Sequence, residues 1–385
     1  MGYVKFAIIK LLLGCKFDTM RITFIAFCLC CVFAGCKSDG NYYLHPTNEK
    51  EYKVELLCEL DWAARSYVSK LFYVDSALMV LGWDLATGTY IHTYMLPGID
   101  RNDYLHKGRG EGEIMGVFQI PFIQDDVLVL SNQEKSLCIN IHSLIHKAEL
   151  ELVPQLPPQS RWVRYCREIK GRIFELLYTS PRPNMEQHPR FRVRDELNNI
   201  LFEDWNWPID DPALRWDVQQ MLSFSPDCSK FVCSVVTGCG IIETFTFPKL
   251  DIIASNIYFI ADFYYNQNTS SNRITRRYNN KRDGFIDICT TDSEIWAIWD
   301  GATDWSVPDE ERPYPTMNTI AVFDWDLNLK RTIKLDYNVL NLAYDEITNV
   351  LYLVALNKAG DKYLGSVNLN YEYCFEINEI MIRLA

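Results

Sequence analysis

Three groups of side chains in this sequence of 385 residues could do chemistry. Carboxylates gather at Asp204, Asp210 and Asp211, and again at Asp300, Asp304, Asp309, Glu310 and Glu311. Tryptophans stand among them at Trp205, Trp207, Trp216 and Trp305. A pair of carboxylates flanking a bond is what glycoside hydrolysis requires. An acidic surface loop is more often only solvated, so the pattern opens a hydrolase reading without establishing it. The second group is basic: Arg273, Arg276, Arg277, Lys281 and Arg282 put five cations into ten residues, with Tyr264, Tyr265 and Tyr278 beside them and Tyr314 further on. Such a strip either pairs with Asp304, Asp309, Glu310 and Glu311, at about 0–1 kcal/mol for each exposed pair, or captures an anionic partner such as an acidic glycan or peptide. The third group is histidine. Of six in the chain, His142 and His146 are four apart, but they flank an expected hairpin turn rather than sharing a helix face. No metal site and no other cofactor is expected.

Composition narrows the partners. Lys and Arg number 38 against 50 Asp and Glu, a net charge of −12. Phosphate contact needs a basic footprint, so nucleic acid is excluded as a partner. At 48% hydrophobic and 23% charged, the chain is globular, and 14% aromatic content favours strands. Met20-Arg21 followed by the apolar run Ile22–Val32 is too short to span a bilayer and suits the apolar core of a signal peptide. It ends in Phe33-Ala34-Gly35-Cys36, which resembles the bacterial lipoprotein box, whose cysteine is acylated and becomes residue one. Residues 1–35 are therefore expected to be a lipoprotein signal peptide, with Met20 an open alternative start, and residues 36–50 a lipidated tether. Acyl chains contribute about 0.8 kcal/mol per buried methylene, so more than one on Cys36 makes a stable membrane anchor. A plain secretory signal is the competing reading. Eight of the thirteen cysteines lie beyond this segment, without a Cys-x-x-Cys pair among them. Most sit in apolar runs and read as buried thiols, with one disulfide among Cys228, Cys233 and Cys239 as the alternative.

The elements that must position these residues are strands. From residue 52 onward, β-branched and aromatic runs of five to eight residues alternate with Asp, Asn and Gly. A hairpin unit recurs, with Asp75, Asp126, Gly171, Cys228, Asp292 and Asp345 at its turn, and a second hairpin follows most copies. Four antiparallel strands in about 50 residues, repeated six times, predict an all-β fold over residues 51–385: a six-bladed β-propeller of four-stranded antiparallel blades. The first copy looks irregular, because only ten residues separate Asp75 from the turn Ala86-Thr87-Gly88. That leaves five or seven blades open as counts. The spare run Tyr52–Leu57 is expected to pair with the last blade's edge, near Lys362–Asn368, and close the ring.

The longest connections, Thr179–Arg190, Asp204–Val218, Ser255–Asp283 and Asp300–Asn318, are expected between the second and third strands of a blade or between blades. Both positions lie on one face of a propeller, where loops carry function on a fixed scaffold. Trp205, Trp207, Trp216, Tyr264, Tyr265, Arg276, Arg277, Tyr278, Arg282, Trp305 and Tyr314 are the binding candidates of that face, toward a protein, peptide or glycan. No Ser-x-Asp-x-Gly-x-Thr-Trp box and no Gly-x-Ser-x-Gly elbow occurs, against a sialidase-like or a serine-hydrolase propeller. A binding module is the main reading and a polysaccharide-active enzyme the alternative.

The segment Gly108-Arg109-Gly110-Glu111-Gly112-Glu113 resembles the Gly-x-Gly-Pro-Gly-Glu stretch of TolB-like six-bladed propeller lipoproteins of the Bacteroidetes, with Glu111 in place of proline. Physically, its glycines are expected to allow a left-handed, tightly folded crossing between blades. With the cysteine box and the repeat, the resemblance covers roughly residues 36–370 and implies a cell-envelope propeller without established catalysis.

Overall fold

The computed structural model describes residues 44 and 48–370, apart from 111–112, 114–119, 125, 132–135, 154–162, 178–187, 210–219, 237, 261–262, 269–272, 279–282 and 301–313. The chain opens with β1 (Glu49–Tyr52), β2 (Glu55–Glu59) and a single 3-10 turn at Asp61–Arg65. The first blade is β3 (Val68–Val74), β4 (Ala77–Gly82), β5 (Thr89–Met95) and β6 (Asp100–His106). The second is β7 (Phe122–Gln124), β8 (Val127–Ser131), β9 (Ser136–Asn140) and β10 (Leu152–Val153). The third is β11 (Val163–Ile169), β12 (Arg172–Leu177), β13 (Phe191–Asp195) and β14 (Ile200–Asp204). The fourth is β15 (Gln220–Phe224), β16 (Lys230–Val235), β17 (Cys239–Thr246) and β18 (Ile252–Ile260). A separate hairpin follows, β19 (Phe263–Asn268) and β20 (Arg273–Tyr278). The fifth blade is β21 (Phe285–Thr290), β22 (Ile295–Trp299), β23 (Thr319–Phe323) and β24 (Leu329–Leu335). The sixth is β25 (Asn338–Asp345), β26 (Val350–Leu356) and β27 (Lys362–Asn368), with β2 as its fourth strand. The protein is an all-β, six-bladed propeller of antiparallel blades.

Turn chemistry sets the repeat. All six marker residues fall in the first hairpin of their blades. Asp75 and Ser76 take φ of 48° and 64°, and Lys170 and Gly171 take 50° and 72°. Two consecutive positive φ values make the tight turn whose twist matches that of the flanking strands. In the second hairpins of blades three and five one carboxylate organises the turn. Asp195 accepts from the backbone N–H groups of Leu197 and Asn199, and Asp324 from those of Asp326 and Asn328. The first blade is regular after all. The ten residues after Asp75 hold one strand, the six-residue β4, and the start of its link to β5.

The middle strands are apolar on both faces because each blade is sandwiched between neighbours. Every residue of β4 and of β22 is buried. Between blades two, three and four the packing is phenylalanine on phenylalanine: Phe174, Phe191, Phe231 and Phe245 are inaccessible, with Phe231 stacked on Phe245 at 4.9 Å.

Closure divides the expected strand in two. Glu55–Glu59 runs antiparallel to β27, pairing Glu55 with Ser366 and Glu59 with Tyr363. Glu49–Tyr52 instead lies parallel to β24 on the fifth blade, pairing Glu49 with Thr332 and Tyr52 with Leu335. The chain steps from one edge to the next at Val54, whose N–H donates to Asp336 Oδ1 at 2.9 Å. The folded unit reaches back to Leu44, buried against residues of blades four and five.

The glycine segment works differently from expectation. Neither Gly108 nor Gly110 takes a positive φ, and Gly112 lies outside the described residues. The Glu113 carboxylate folds over both glycines and accepts from the Gly110 N–H at 2.8 Å. A Cβ on Gly108 would occupy the space of that carboxylate, so these glycines serve close approach rather than handedness.

Candidate functional site

The long connections do leave from one end of the propeller. Residues 178–190 join β12 to β13 and 300–318 join β22 to β23, both between second and third strands. Residues 205–219 and 261–284 link successive blades. Ser255 is an exception in detail, because it belongs to β18. The opposite end carries the short first-hairpin turns.

At the long-connection end, Trp205 is 53% exposed and its indole N–H donates to Glu203 Oε2 at 3.3 Å. Trp207 is half-buried. Arg273, Arg276 and Arg277 of the basic strip lie on β20 of the hairpin β19–β20, whose register sets Tyr264 opposite Arg277, Tyr265 opposite Arg276 and Phe263 opposite Tyr278, while Lys281 lies outside the described residues. Cross-strand pairing therefore sets opposite one another tyrosines and arginines that lie ten or more residues apart in sequence. Tyr314 is half-buried and donates its hydroxyl hydrogen to the Leu356 carbonyl at 2.8 Å, which ties its segment to the sixth blade. Trp216, Arg282, Trp305 and the carboxylates Asp210, Asp211, Asp304, Asp309, Glu310 and Glu311 lie outside the described residues, as does Cys36.

Asp204 closes β14 beneath Trp205. It is 4% exposed, and burial raises its carboxyl above the usual range, opposed by hydrogen bonds from Asn206 and by the charge of Arg190. Asn206 donates through its backbone and its amide to Oδ1, whereas Oδ2 has no hydrogen-bond partner among the described residues. Arg190 pairs with the Glu243 carboxylate in the core between blades three and four and lies over the Phe191 ring at 4.7 Å.

A cavity of about 730 Å³ runs along the propeller axis. It is walled by the first strands of all six blades and reaches the first-hairpin turns, where Asp126, Lys170 and Asp227 stand. Hydrogen bonds between blades brace its wall. Lys70 of blade one reaches Asp287 Oδ1 of blade five at 2.5 Å and the Ile288 carbonyl at 2.9 Å. Asp287 Oδ2 also accepts from the Leu342 N–H of blade six at 3.1 Å, so one carboxylate joins three blades. Ser223 and Thr290 link blades four and five at 2.9 Å. Arg167 of blade three donates to Gln124 of blade two and to the Cys228 sulfur of blade four. At the mouth, Asp227 is held down to about 2 by the Ser229 N–H and by the hydroxyls of Ser225 and Ser229.

These axial residues were not among the sequence candidates. For Lys70 the available signal was a single cation among the apolar and aromatic residues of VSKLFYV, whereas Arg167 shares VRYCREI with Arg164 and Glu168 and does not stand out. What the Lys70 signal lacked was the partner, because Asp287 is 217 positions from Lys70. His142 and His146 lie on one short helical turn rather than across a hairpin: His142 precedes the π-helical turn Ser143–Lys147, and the two rings are 4.6 Å apart. No group of three metal-ligating side chains occurs among the described residues. The seven described cysteines are free thiols, so Cys228, Cys233 and Cys239 form no disulfide.

No protein-family model matches the chain, and no curated protein matches it in sequence. Solved structures with a similar course of the chain include a member of the DUF4221 family from Bacteroides vulgatus, at 14% identity and a TM-score of 0.48, covering 83% of this chain and 98% of that one. A Bacteroides fragilis protein held to be exported aligns at 12% identity and a TM-score of 0.45, covering 83% and 99%. A gluconolactonase from Xanthomonas campestris aligns at 12% identity and a TM-score of 0.43, covering 84% and 95%.

Proposed function

We propose that the chain is an exported cell-envelope lipoprotein, anchored through Cys36, whose propeller binds a protein, peptide or glycan partner at its long-connection end. The observation that carries this reading is the asymmetry of the two ends. One end carries the hairpin turns, short apart from the connection 141–151, while the other carries the longer links 107–121, 178–190, 205–219, 261–284 and 300–318, of which 261–284 contains a hairpin that belongs to no blade. An insertion of this kind adds surface without adding to the blades, and rigid scaffolds place recognition on such segments. The strip Arg276, Arg277 and Arg282, with Tyr264 and Tyr265 opposite Arg277 and Arg276 in register, suits an anionic partner, since arginine and tyrosine are the anchors of desolvated interfaces. Neutralising Arg276, Arg277 and Arg282 together tests it. Affinity for an acidic envelope glycan or peptide should fall and its salt dependence flatten, with stability little changed. Unchanged affinity with a shifted melting temperature would make the strip a structural clamp.

One observation favours a second reading, a polysaccharide-active enzyme. Asp204 is a buried carboxyl with a raised pKa beside Trp205, the property a general acid needs at neutral pH. Release of reducing ends from envelope glycans by the purified protein would support it, and saturable binding without turnover would support the module.

A further inference from the structure

The axial cavity contains a cation without a carboxylate partner among the described residues. Arg101, Arg190, Arg192, Arg194 and Arg331 each have a carboxylate within ion-pair distance. Arg167 has none among the described residues, although it is only 8% exposed. Its guanidinium lies between two aromatic faces, 5.0 Å from the Phe122 ring and 4.8 Å from the Phe224 ring. Nε donates to Gln124 Oε1 at 3.0 Å and one terminal nitrogen to Cys228 Sγ at 3.4 Å. Two rings from neighbouring blades thus fix the plane of the fork, and the amide fixes its rotation. Burying a guanidinium with only neutral partners is costly, and aromatic faces offset part of that cost.

We infer that the axial cavity is a binding site for a small organic anion, whose carboxylate or phosphate pairs with Arg167. A planar fork already held in place is suited to two parallel hydrogen bonds to such a group. Lys70, also on the wall, spends two donors on Asp287 and Ile288 and retains a third N–H. Lys170 stands at the mouth beside the carboxylates of Asp126 and Asp227, its Nζ donating to the Asp227 carbonyl at 3.0 Å, so the cations that face an anion inside are Arg167 and Lys70. A volume of about 730 Å³ lies within the range of small-molecule sites, and the wall adds the rings of Tyr73 and Tyr344. The cavity reaches the short-turn end, away from the long connections, so this site is separate from the partner surface proposed above.

Titration calorimetry of the purified full chain tests it with glucuronate, inorganic phosphate and neutral glucose. At least one anion should bind with a millimolar or tighter Kd while glucose gives no heat, and the anion that binds distinguishes a carboxylate from a phosphate ligand. Arg167→Gln should weaken that binding at least about tenfold. Should that variant fail to fold, Arg167→Lys, which keeps the charge and loses the planar fork, serves instead, with a several-fold loss expected. The inference is overturned if neither anion binds, if glucose binds as well as glucuronate, or if the affinity is indifferent to both Arg167→Gln and Arg167→Lys.

Discussion

Asp287 is the residue on which ring closure at the axis depends most directly. Its carboxylate is 2% exposed and takes hydrogen bonds from Lys70 and from the Leu342 N–H. Removing one partner of a buried ion pair leaves the other charge without compensation, at about 3–5 kcal/mol. Asp287→Ala should lower the unfolding free energy by that order in a denaturant titration, and Lys70→Met in the same chain should recover part of it. A loss below about 1 kcal/mol would mean water solvates Lys70 as well as Asp287 does. His92 offers a different test. It is fully buried under the Trp62 ring at 3.8 Å, with Nδ1 2.8 Å from Asp103 Oδ1 and Nε2 3.0 Å from the Gly82 carbonyl oxygen, and the one N–H of the neutral ring can serve either acceptor. Burial lowers its pKa below the ordinary value of about 6.5, while Asp103 opposes the shift and Arg101 adds to it. A group whose folded pKa is depressed takes its proton first in the unfolded chain. Its stabilising contribution is complete above about pH 6.5 and is lost as pH falls below it. Unfolding free energy should therefore fall as pH drops below about 6.5, and His92→Gln should flatten that part of the curve.

At the scale of elements, the two N-terminal strands have separable roles. Deleting Glu55–Glu59 leaves the β27 edge with unpaired backbone groups, so the protein should melt earlier and associate through that edge, visible in light scattering. Deleting Glu49–Tyr52 exposes only an outer edge that already belongs to a complete four-stranded blade, and the effect should be smaller. Equal melting temperatures for the two deletions would remove the distinction. The hairpins were legible in the sequence because each depends on a few local residues, Asp75-Ser76 and Lys170-Gly171 among them. The division of Tyr52–Leu57 was not legible. Its residues suit either edge, and only the step at Val54, held by Asp336 from 282 positions away, decides where one pairing ends and the next begins.

For the whole molecule, the proposed anchor gives the simplest experiment. Cys36→Ala should move the protein from the membrane fraction to the soluble one and abolish palmitate labelling, because the acyl chains on Cys36 are the proposed hold on the bilayer. Continued labelling of the variant would mean that another cysteine is acylated.

Period, turn residues and the apolar character of the middle strands are local properties, and they are enough to specify a four-stranded repeat of about six copies before any contact is known, with the choice of six over five or seven left to the structure. The placement of the long connections at one end follows from the same count, since strand order alone determines which end a connection leaves from. Which charged side chains meet is a different matter. Lys70 with Asp287 and Arg190 with Glu243 are joined only when distant strands are brought side by side. Arg167 shares its strand with Arg164 and Glu168, and its lack of a carboxylate partner among the described residues becomes visible only when the first strands of six blades surround one axis. Electrostatic pairing depends on distance in space, whereas hairpin formation depends on neighbours in sequence, and that difference separates what the sequence by itself determined from what the tertiary structure decided.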